Sequence, residues 1–171
     1  MPNKETAKEN QPDNAVVMAL QRETANTIIL YHNYKHYHWQ TFGATMRDLH
    51  LMFDEFIDVV LEDIDTLAER VRMIGQDPLF RFEEIQKRAT IEQSKAPKSM
   101  RAFIEEADRS VLKVIEGMRA GAKAAEEGDD PGSNDLFSGM VRHYEKQEWF
   151  FRDILEKKDG LVASRRRPAL H

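Results

Sequence analysis

The chain of 171 residues contains no cysteine, which excludes disulfide bonds, thiolate metal ligands and cysteine nucleophiles. It contains only eight glycines, a scarcity that favours long helices. No apolar run reaches the length needed to cross a bilayer. The first fourteen residues are polar and lack the apolar segment of a secretion signal. We therefore expect a cytoplasmic protein without a membrane partner.

Hydrophobic residues make up 41% of the chain and charged residues 32%, a balance typical of soluble proteins built from amphipathic helices. No change in composition divides the chain, so a single domain is predicted. The formal net charge of −5 argues against nucleic-acid binding by the folded body, because phosphates would be repelled.

The spacing of apolar residues predicts four long helices and one short helix. The first long helix runs from a cap at Asn14 to about Gln40. The second opens at a capping box formed by Thr45 and Asp48 and closes at Gly75. The short helix follows at about residues 82–91.

The third long helix is predicted to begin near Pro97 and to end at Gly128. The fourth begins at Ser133 or Asn134 and ends at Gly160. This order predicts an all-α fold, a four-helix bundle with a short extra helix between the second and third long helices. The bundle is expected at residues 14–160, between a flexible N-terminal tail at residues 1–13 and a flexible basic C-terminal tail at residues 161–171.

The second helix divides into two faces when its residues are placed at helical angles. Ten apolar residues fall on one broad face, which we assign to the core: Leu49, Met52, Phe53, Phe56, Ile57, Val60, Ile64, Leu67, Val71 and Ile74. The other side carries the candidate metal ligands within about 100° of arc: His50, Asp54, Asp58, Asp65 and Glu69. The side chains of these residues point out of their own bundle. Inward-facing di-iron bundles instead carry Glu-x-x-His motifs, and the chain contains no such motif.

His50 with Asp54, and Asp65 with Glu69, are each four residues apart and so share one side of the helix. The two pairs are separated by about 22 Å along the helix. One metal ion therefore cannot contact both pairs of the same helix. Two such helices packed antiparallel about a twofold axis near Val60 would bring the first pair of one copy beside the second pair of the other. A solvated helix face is the alternative explanation.

His38, near the end of the first helix, offers one further nitrogen to such a site. Each site would then contain two imidazoles and three carboxylates. Mixed nitrogen and oxygen ligation suits iron, and zinc or manganese would also fit.

These residues form a pattern that resembles the signature of the Dps family, the miniferritins. The pattern comprises Lys35-x-x-His38-Trp39, Gly43, Leu49-His50-x-x-x-Asp54 and Asp65-x-x-x-Glu69-Arg70. The five candidate ligands follow one another at spacings of 12, 4, 11 and 4 residues, as in the family. The resemblance extends over about residues 14–160 and includes Glu148-Trp149-Phe150 in the fourth helix.

The resemblance implies a ferritin-like bundle that assembles into a hollow shell of twelve subunits with ferroxidase sites at the twofold interfaces. By position, His38, His50 and Asp54 would come from one subunit, and Asp65 and Glu69 from its partner. Iron would be oxidised there, with hydrogen peroxide preferred over oxygen, and ferric mineral would be stored in the cavity. Zinc is the expected substitute for iron.

The same resemblance implies roles for further acidic residues. Glu55, Asp58 and Glu62 correspond to cavity-facing acids that seed ferric mineral, with a solvated helix face as the alternative. Three acids at the turn into the fourth helix lie where relatives line an iron-entry pore on a threefold axis: Asp129, Asp130 and Asp135. Helix capping is the competing explanation for Asp135.

Several aromatic and histidine residues remain outside this set. Trp39, with Tyr34 and Tyr37 close to it in the chain, is a candidate quencher of stray radicals, with ordinary packing as the alternative.

The remaining helical histidines are expected to be structural or exposed. His32 and His36 have metal-compatible spacing, but His36 points about 200° away from His38, which predicts a surface or interface pair. His143 stands alone and is expected to be packed or exposed.

DNA binding is the alternative function. DNA-binding members of the family often use lysine-rich tails, whereas the charges of the N-terminal tail are nearly balanced here. The C-terminal tail carries Arg165, Arg166 and Arg167, and many copies on one particle would act together. The acidic body would make such binding weak and salt-sensitive. A nucleoid protein with little ferroxidase role, and a helical interaction module with an incidental acidic stripe, are thus the competing hypotheses.

Overall fold

The computed structural model of the protein describes residues 15–156. Within this range the chain forms five helices and no strand: α1 (Ala15–Trp39), α2 (Met46–Met73), α3 (Phe82–Arg88), α4 (Met100–Glu127) and α5 (Pro131–Leu155). The predicted all-α bundle, with its short helix between the second and third long helices, is confirmed. No helix of the described range is long and apolar enough to span a membrane.

The predicted bundle extends beyond the described residues at both ends. The predicted tails at residues 1–13 and 161–171 and the predicted cap at Asn14 lie outside the described residues. The predicted end of the fourth long helix at Gly160 is wrong, because α5 ends at Leu155 and the backbone of Glu156, with φ −54° and ψ 131°, is no longer helical. The boundaries of the domain at both ends therefore stay predictions.

The four long helices surround one hydrophobic core. α1 packs along α2, α4 packs along α5, and α1 also contacts α4. Short connections make sequential helices antiparallel neighbours. The predicted core face of α2 is confirmed, because eight of its ten residues are buried and the other two, Ile64 and Ile74, are partly buried.

An aromatic cluster fixes the end of α1 against α2 and α5. The ring centroid of Tyr34 lies 5.6 Å from that of Phe53 and 6.1 Å from that of Phe151. The Tyr37 ring contacts Phe53 and Phe103 at 5.6 and 5.5 Å. Aromatic pairs at these distances stabilise the core beyond their area burial, by about 0.5–1.5 kcal/mol each. The cluster therefore holds in place the last turn of α1, where His38 lies.

Two of the long helices end in the same hydrogen-bond pattern, in which a residue with left-handed backbone follows the last turn. At the end of α2 this residue is Gly75, with φ +82°, and the amide of Gln76 donates to the Val71 carbonyl at 3.0 Å. At the end of α4 the position belongs to Asp129, with φ +51°, rather than to Gly128. The predicted end of α4 at Gly128 is confirmed to within one residue, and that of α2 at Gly75 to within two residues.

The start of α2 after Thr45 is confirmed without its predicted cap, and the predicted start of α5 is wrong. Thr45 precedes α2, but its side chain makes no capping hydrogen bond, so the predicted capping box is not formed. α5 begins at Pro131, earlier than predicted, and Asp130 caps it by accepting a hydrogen bond from the Ser133 amide at 2.9 Å. Proline is favourable in the first helical turn because its missing N–H would have no partner there.

Two other helix boundaries also differ from the prediction. α4 begins at Met100 rather than near Pro97, because Ser99 has an extended backbone and its side chain accepts a hydrogen bond from the Ala102 amide at 3.2 Å. α3 ends at Arg88 rather than at residue 91, because the backbone of Ala89 is extended. Each difference is local and leaves the order of helices unchanged.

The contact between α4 and α5 depends on the absence of a side chain at Gly121. A Cβ atom at this position would lie 2.6 Å from the nearest ring atom of the buried Phe137. We predict that Gly121→Ala lowers the free energy of unfolding by about 1–3 kcal/mol, because the core must shift to admit the methyl group. Denaturant titration at fixed protein concentration measures this change.

The matched control is Gly139→Ala in α5, where the nearest atom to the added Cβ would be 3.8 Å away. This variant should be neutral or more stable by up to about 1 kcal/mol, because alanine favours helix more than glycine does. Equal stability of the two variants would contradict the packing described for Gly121.

Candidate metal centre

The turn between α1 and α2 brings two histidines together. Residues 40–45 connect the helices, and Gly43 adopts φ +86°, a left-handed conformation that glycine accepts without strain. α2 then runs back along α1. His38 in the last turn of α1 therefore meets His50 in the second turn of α2.

The two imidazole rings stack on each other, with centroids 3.6 Å apart and planes inclined by 26°. Each ring contacts the main chain of the other residue. Nδ1 of His38 lies 3.1 Å from the His50 carbonyl oxygen, and Nδ1 of His50 lies 3.0 Å from the His38 carbonyl oxygen. Because a carbonyl oxygen only accepts hydrogen bonds, each Nδ1 carries the proton and each neutral ring keeps its lone pair at Nε2. Both rings are thus oriented for metal ligation through Nε2.

Asp54, one helical turn after His50, completes a group of three donors. Its Oδ1 atom lies 3.3 Å from Nδ1 of His38. One potential ligand atom from each of the three residues lies within 4.8 Å of the others, and residues 15–156 contain no other such group. The side chain of His38 is 11% exposed, whereas that of Asp54 is 46% exposed. The group is therefore accessible from its carboxylate side.

This donor set fits a borderline divalent metal ion. Imidazole nitrogen suits iron, zinc and copper, and carboxylate oxygen suits harder cations such as Mn²⁺. Two neutral nitrogens and one carboxylate leave coordination positions open on an ion that takes four to six ligands. The arrangement can therefore bind a metal ion and still admit further ligands.

Asp65 and Glu69 do not join this group within one chain. Both are exposed on the outward side of α2. Asp65 follows Asp54 by eleven residues, which is about 16 Å along a helix. The structure therefore brings together three of the five predicted ligands and places the other two farther along the same helix.

Two further residues contact the group without having been assigned a role from the sequence. Thr41 donates its hydroxyl proton to the His38 carbonyl oxygen at 3.1 Å, and its oxygen lies 3.3 Å from Nδ1 of His50. Lys35 places its ammonium 3.9 Å from Asp54. Thr41 sits in an irregular turn, where no periodic signal exists to identify it.

Arg70 anchors the part of α2 that carries Asp65 and Glu69. Its Nε atom donates to the Ser133 hydroxyl oxygen at 2.9 Å, and its guanidinium pairs with Asp130 at the start of α5. Gly132 leaves the space for this contact, since a Cβ there would lie 2.9 Å from the guanidinium.

Of the three acids predicted to line a pore, Asp130 is engaged in structural contacts. Burial acts to raise the pKa of Asp130, but hydrogen bonds from Ser133 and the Arg70 guanidinium together hold it below its usual value. Helix capping, considered above for Asp135, is carried out by Asp130 instead. Asp129 and Asp135 are exposed at the same turn.

The acids proposed for mineral nucleation and the aromatic residues near His38 occupy different environments. Glu55, Asp58 and Glu62 are all exposed on α2.

Trp39 is 70% exposed, whereas Tyr34 and Tyr37 are fully buried. The Tyr34 hydroxyl donates to Gln147 at 2.8 Å and the Tyr37 hydroxyl to Glu106 at 2.7 Å. Burial raises the pKa of both tyrosines, so both stay protonated and packed.

The remaining histidines stay apart from the three-donor group. His32 is exposed, and His36 is partly buried with its ring centroid 5.8 Å from that of Phe103. His143 was expected to be packed or exposed, and its side chain is 49% exposed. It is not isolated, however, because Nδ1 of His143 lies 3.1 Å from Asp63, a buried carboxylate to which the sequence pattern gave no role.

Residues 17–160 match the family model described as a ferritin-like domain. This match and the bundle of four long helices place the chain in the ferritin-like class.

More specific similarity comes from individual relatives. DNA protection during starvation protein 1 of Deinococcus radiodurans is 32% identical over 142 residues, covering 82% of this chain and 69% of that protein. The structure of Dps from Thermosynechococcus elongatus has 39% sequence identity and a TM-score of 0.83, covering 86% of this chain and 94% of that chain. The chain belongs to the Dps family.

A DPS protein from Vibrio cholerae O1 is described as a member of a broad superfamily of ferritin-like diiron-carboxylate proteins. It has 27% sequence identity and a TM-score of 0.79, covering 82% of this chain and 89% of that chain.

Proposed function

We propose that the protein is a ferroxidase and iron-storage miniferritin, an oxidoreductase that protects the cytoplasm against oxidative damage. It oxidises Fe(II) at di-iron sites between subunits and stores the ferric product in a hollow shell. The observation that carries this proposal is the group of His38, His50 and Asp54, in which both imidazoles are held with Nε2 free. Similarity to a diiron-carboxylate protein supports iron as the substrate.

In this proposal, a second copy of the chain completes each site. Asp65 and Glu69 of one copy join His38, His50 and Asp54 of the other when two α2 helices pack antiparallel about a twofold axis level with Val60. Leu61, near the centre of the outward side of α2, is 52% exposed and would give this contact an apolar centre. Two equivalent sites then form per pair of subunits, and we propose that six pairs make a dodecamer.

The five ligands have different roles in the proposed reaction. His38, Asp65 and Glu69 hold the more tightly bound iron, and His50 with Asp54 serves a weaker or water-bridged position. Carboxylates bind Fe(II) and stabilise the greater positive charge of Fe(III). The neutral imidazoles fix the geometry of the site, because their orientation is set by the hydrogen bonds at Nδ1.

Hydrogen peroxide is the proposed preferred oxidant, with oxygen as the slower one. Two Fe(II) ions each give one electron to one peroxide molecule, whose O–O bond breaks to form two water molecules with two added protons. Delivering both electrons together avoids the one-electron step that releases hydroxyl radical. Trp39, exposed beside His38, is the proposed quencher of radicals that still form.

Entry and storage of iron are assigned to exposed acids. Asp129 and Asp135, with Asp130 beside them, would line a pore on a threefold axis, where three copies focus the field that attracts cations. Glu55, Asp58 and Glu62 would nucleate the ferric mineral inside the shell. Zn²⁺ would compete with iron for the same nitrogen and oxygen ligands.

The double variant His50→Ala with Asp54→Ala tests the proposed site. It should slow peroxide-driven Fe(II) oxidation by about two orders of magnitude, because two of the three donors on each chain are lost. Stopped-flow absorbance of Fe(III) under anaerobic conditions measures the rate, and light scattering measures particle mass. A wild-type rate in an intact particle would reject the site.

The matched control is His32→Ala with Asp77→Ala, which removes the same side-chain types from exposed positions of the monomer. It should oxidise Fe(II) at the wild-type rate.

Replacing peroxide by oxygen in the same assay tests the oxidant, and equal rates with the two oxidants would contradict the proposed preference.

Weak DNA binding is the second candidate function, favoured by the DNA-protection name of the Deinococcus radiodurans relative and by Arg165, Arg166 and Arg167. These arginines lie outside the described residues. A gel shift at low salt should show binding by the full chain and loss of binding when residues 164–171 are removed, because counterion release drives the association. Binding that survives the truncation, or that persists at high salt, would contradict the tail as the DNA contact.

A further inference from the structure

Two polar contacts join the second half of α2 to α5. Nδ1 of His143 on α5 lies 3.1 and 3.3 Å from the two carboxylate oxygens of Asp63, which is buried. Seven residues further along α2, Nε of Arg70 donates to the hydroxyl oxygen of Ser133 at 2.9 Å. Residues about two helical turns apart share one side of a helix, so Asp63 and Arg70 both face α5.

The Arg70 contact is the more restrictive of the two. Its guanidinium also pairs with Asp130, the residue that caps α5, so the planar group is held by two acceptors at once. Asp130 is itself fixed, because its carboxylate accepts from the amide and the hydroxyl of Ser133 at 2.9 and 2.7 Å. Ser133 is fully buried, and only 22% of the Arg70 side chain is exposed. This contact therefore opposes both rotation and sliding of α2 against α5.

Asp65 and Glu69 lie between these two contacts in the chain but point away from them. Both residues are exposed. At 100° per residue they fall about 100–160° around the helix from Asp63 and Arg70. Polar contacts on the inner side of α2 therefore set the direction of two carboxylates on its outer side.

Apolar packing of α2 against α1 lacks this directional character. The hydrophobic effect is non-directional, whereas charge-assisted hydrogen bonds from a guanidinium have a defined geometry. Ligands of a working metal site must be held to within about 0.5 Å. Such control matters most for Asp65 and Glu69, because the three-donor group of their own chain does not include them.

Stability of the fold is a weaker explanation for the Arg70 contact. Without Arg70, α5 would remain capped, since Asp130 also accepts from the Ser133 amide. Replacing a buried ion pair by apolar residues of similar size is often neutral or stabilising. Control of the direction of α2 gives the contact a role that capping and packing do not.

We propose that Arg70 is a positioning residue for the inter-subunit metal site. Through its contacts with α5, Arg70 sets the direction in which Asp65 and Glu69 reach the metal ion held by a second copy of the chain. This inference rests on the proposed function, because only a site shared between two copies uses these two carboxylates.

The zinc affinity of the assembled full chain tests this role without a measurement of oxidation. Calorimetric titration with Zn²⁺ alone should show that Arg70→Gln weakens the tightest site about 10–100-fold, as loss of a group that orients metal ligands typically does. Arg70→Lys keeps the charge but reaches only one acceptor, so it should lose less affinity. The matched control is Arg72→Gln, two residues further along α2. Arg72 pairs with Asp77 and not with α5, so this variant should bind zinc as the wild type does.

A second background separates positioning from a general loss of structure. In the variant Asp65→Ala with Glu69→Ala, the site retains only the three-donor group, and adding Arg70→Gln should leave this weaker zinc affinity unchanged. If Arg70→Gln does not assemble, as judged by light scattering, the same comparison is made with Arg70→Lys.

Two results would overturn the positioning role of Arg70. One is wild-type zinc affinity when Arg70 is replaced and both carboxylates are present. The other is an equal loss of affinity with and without the carboxylates. Failure of the shared site itself gives a different result, because Asp65→Ala with Glu69→Ala would then leave the zinc affinity at its wild-type value. That result would overturn the shared site and the role of Arg70 together.

Discussion

The rigidity of α2 is the constraint on which the functional arrangement depends. An α-helix advances about 1.5 Å per residue, so the pair His50 and Asp54 and the pair Asp65 and Glu69 are held about 22 Å apart. The buried apolar face of the same helix prevents either pair from turning inward. Any site that uses both pairs therefore requires a second copy of the chain, for geometric rather than chemical reasons.

The half of the proposed site that one chain provides is already ordered. Stacked imidazoles, each hydrogen-bonded to the carbonyl of the other, direct both Nε2 lone pairs before any metal arrives. Little conformational entropy remains to be lost on binding, whereas three donors alone leave the coordination of iron incomplete. On this account, assembly of the shell and formation of a competent oxidation site are one event.

Sequence periodicity predicted those features that repeat along a helix. The two faces of α2 follow from the 3.6-residue repeat, and the end of α2 follows from the need of Gly75 for a positive φ. Features that depend on irregular backbone or on distant contacts were missed, including the contact of Thr41 with His50. The pairing of Asp63 with His143 joins residues 80 positions apart, and no local pattern encodes such a contact.

Co-assembly of two inactive variants tests most directly whether each site takes its ligands from two chains. One variant carries His50→Ala and Asp54→Ala, and the other carries Asp65→Ala and Glu69→Ala. If each site takes its ligands from two chains, a mixed pair has one intact site and one empty site. Random pairing should then restore about a quarter of the wild-type rate of peroxide-driven Fe(II) oxidation. A co-assembled particle no more active than either variant alone would contradict the account.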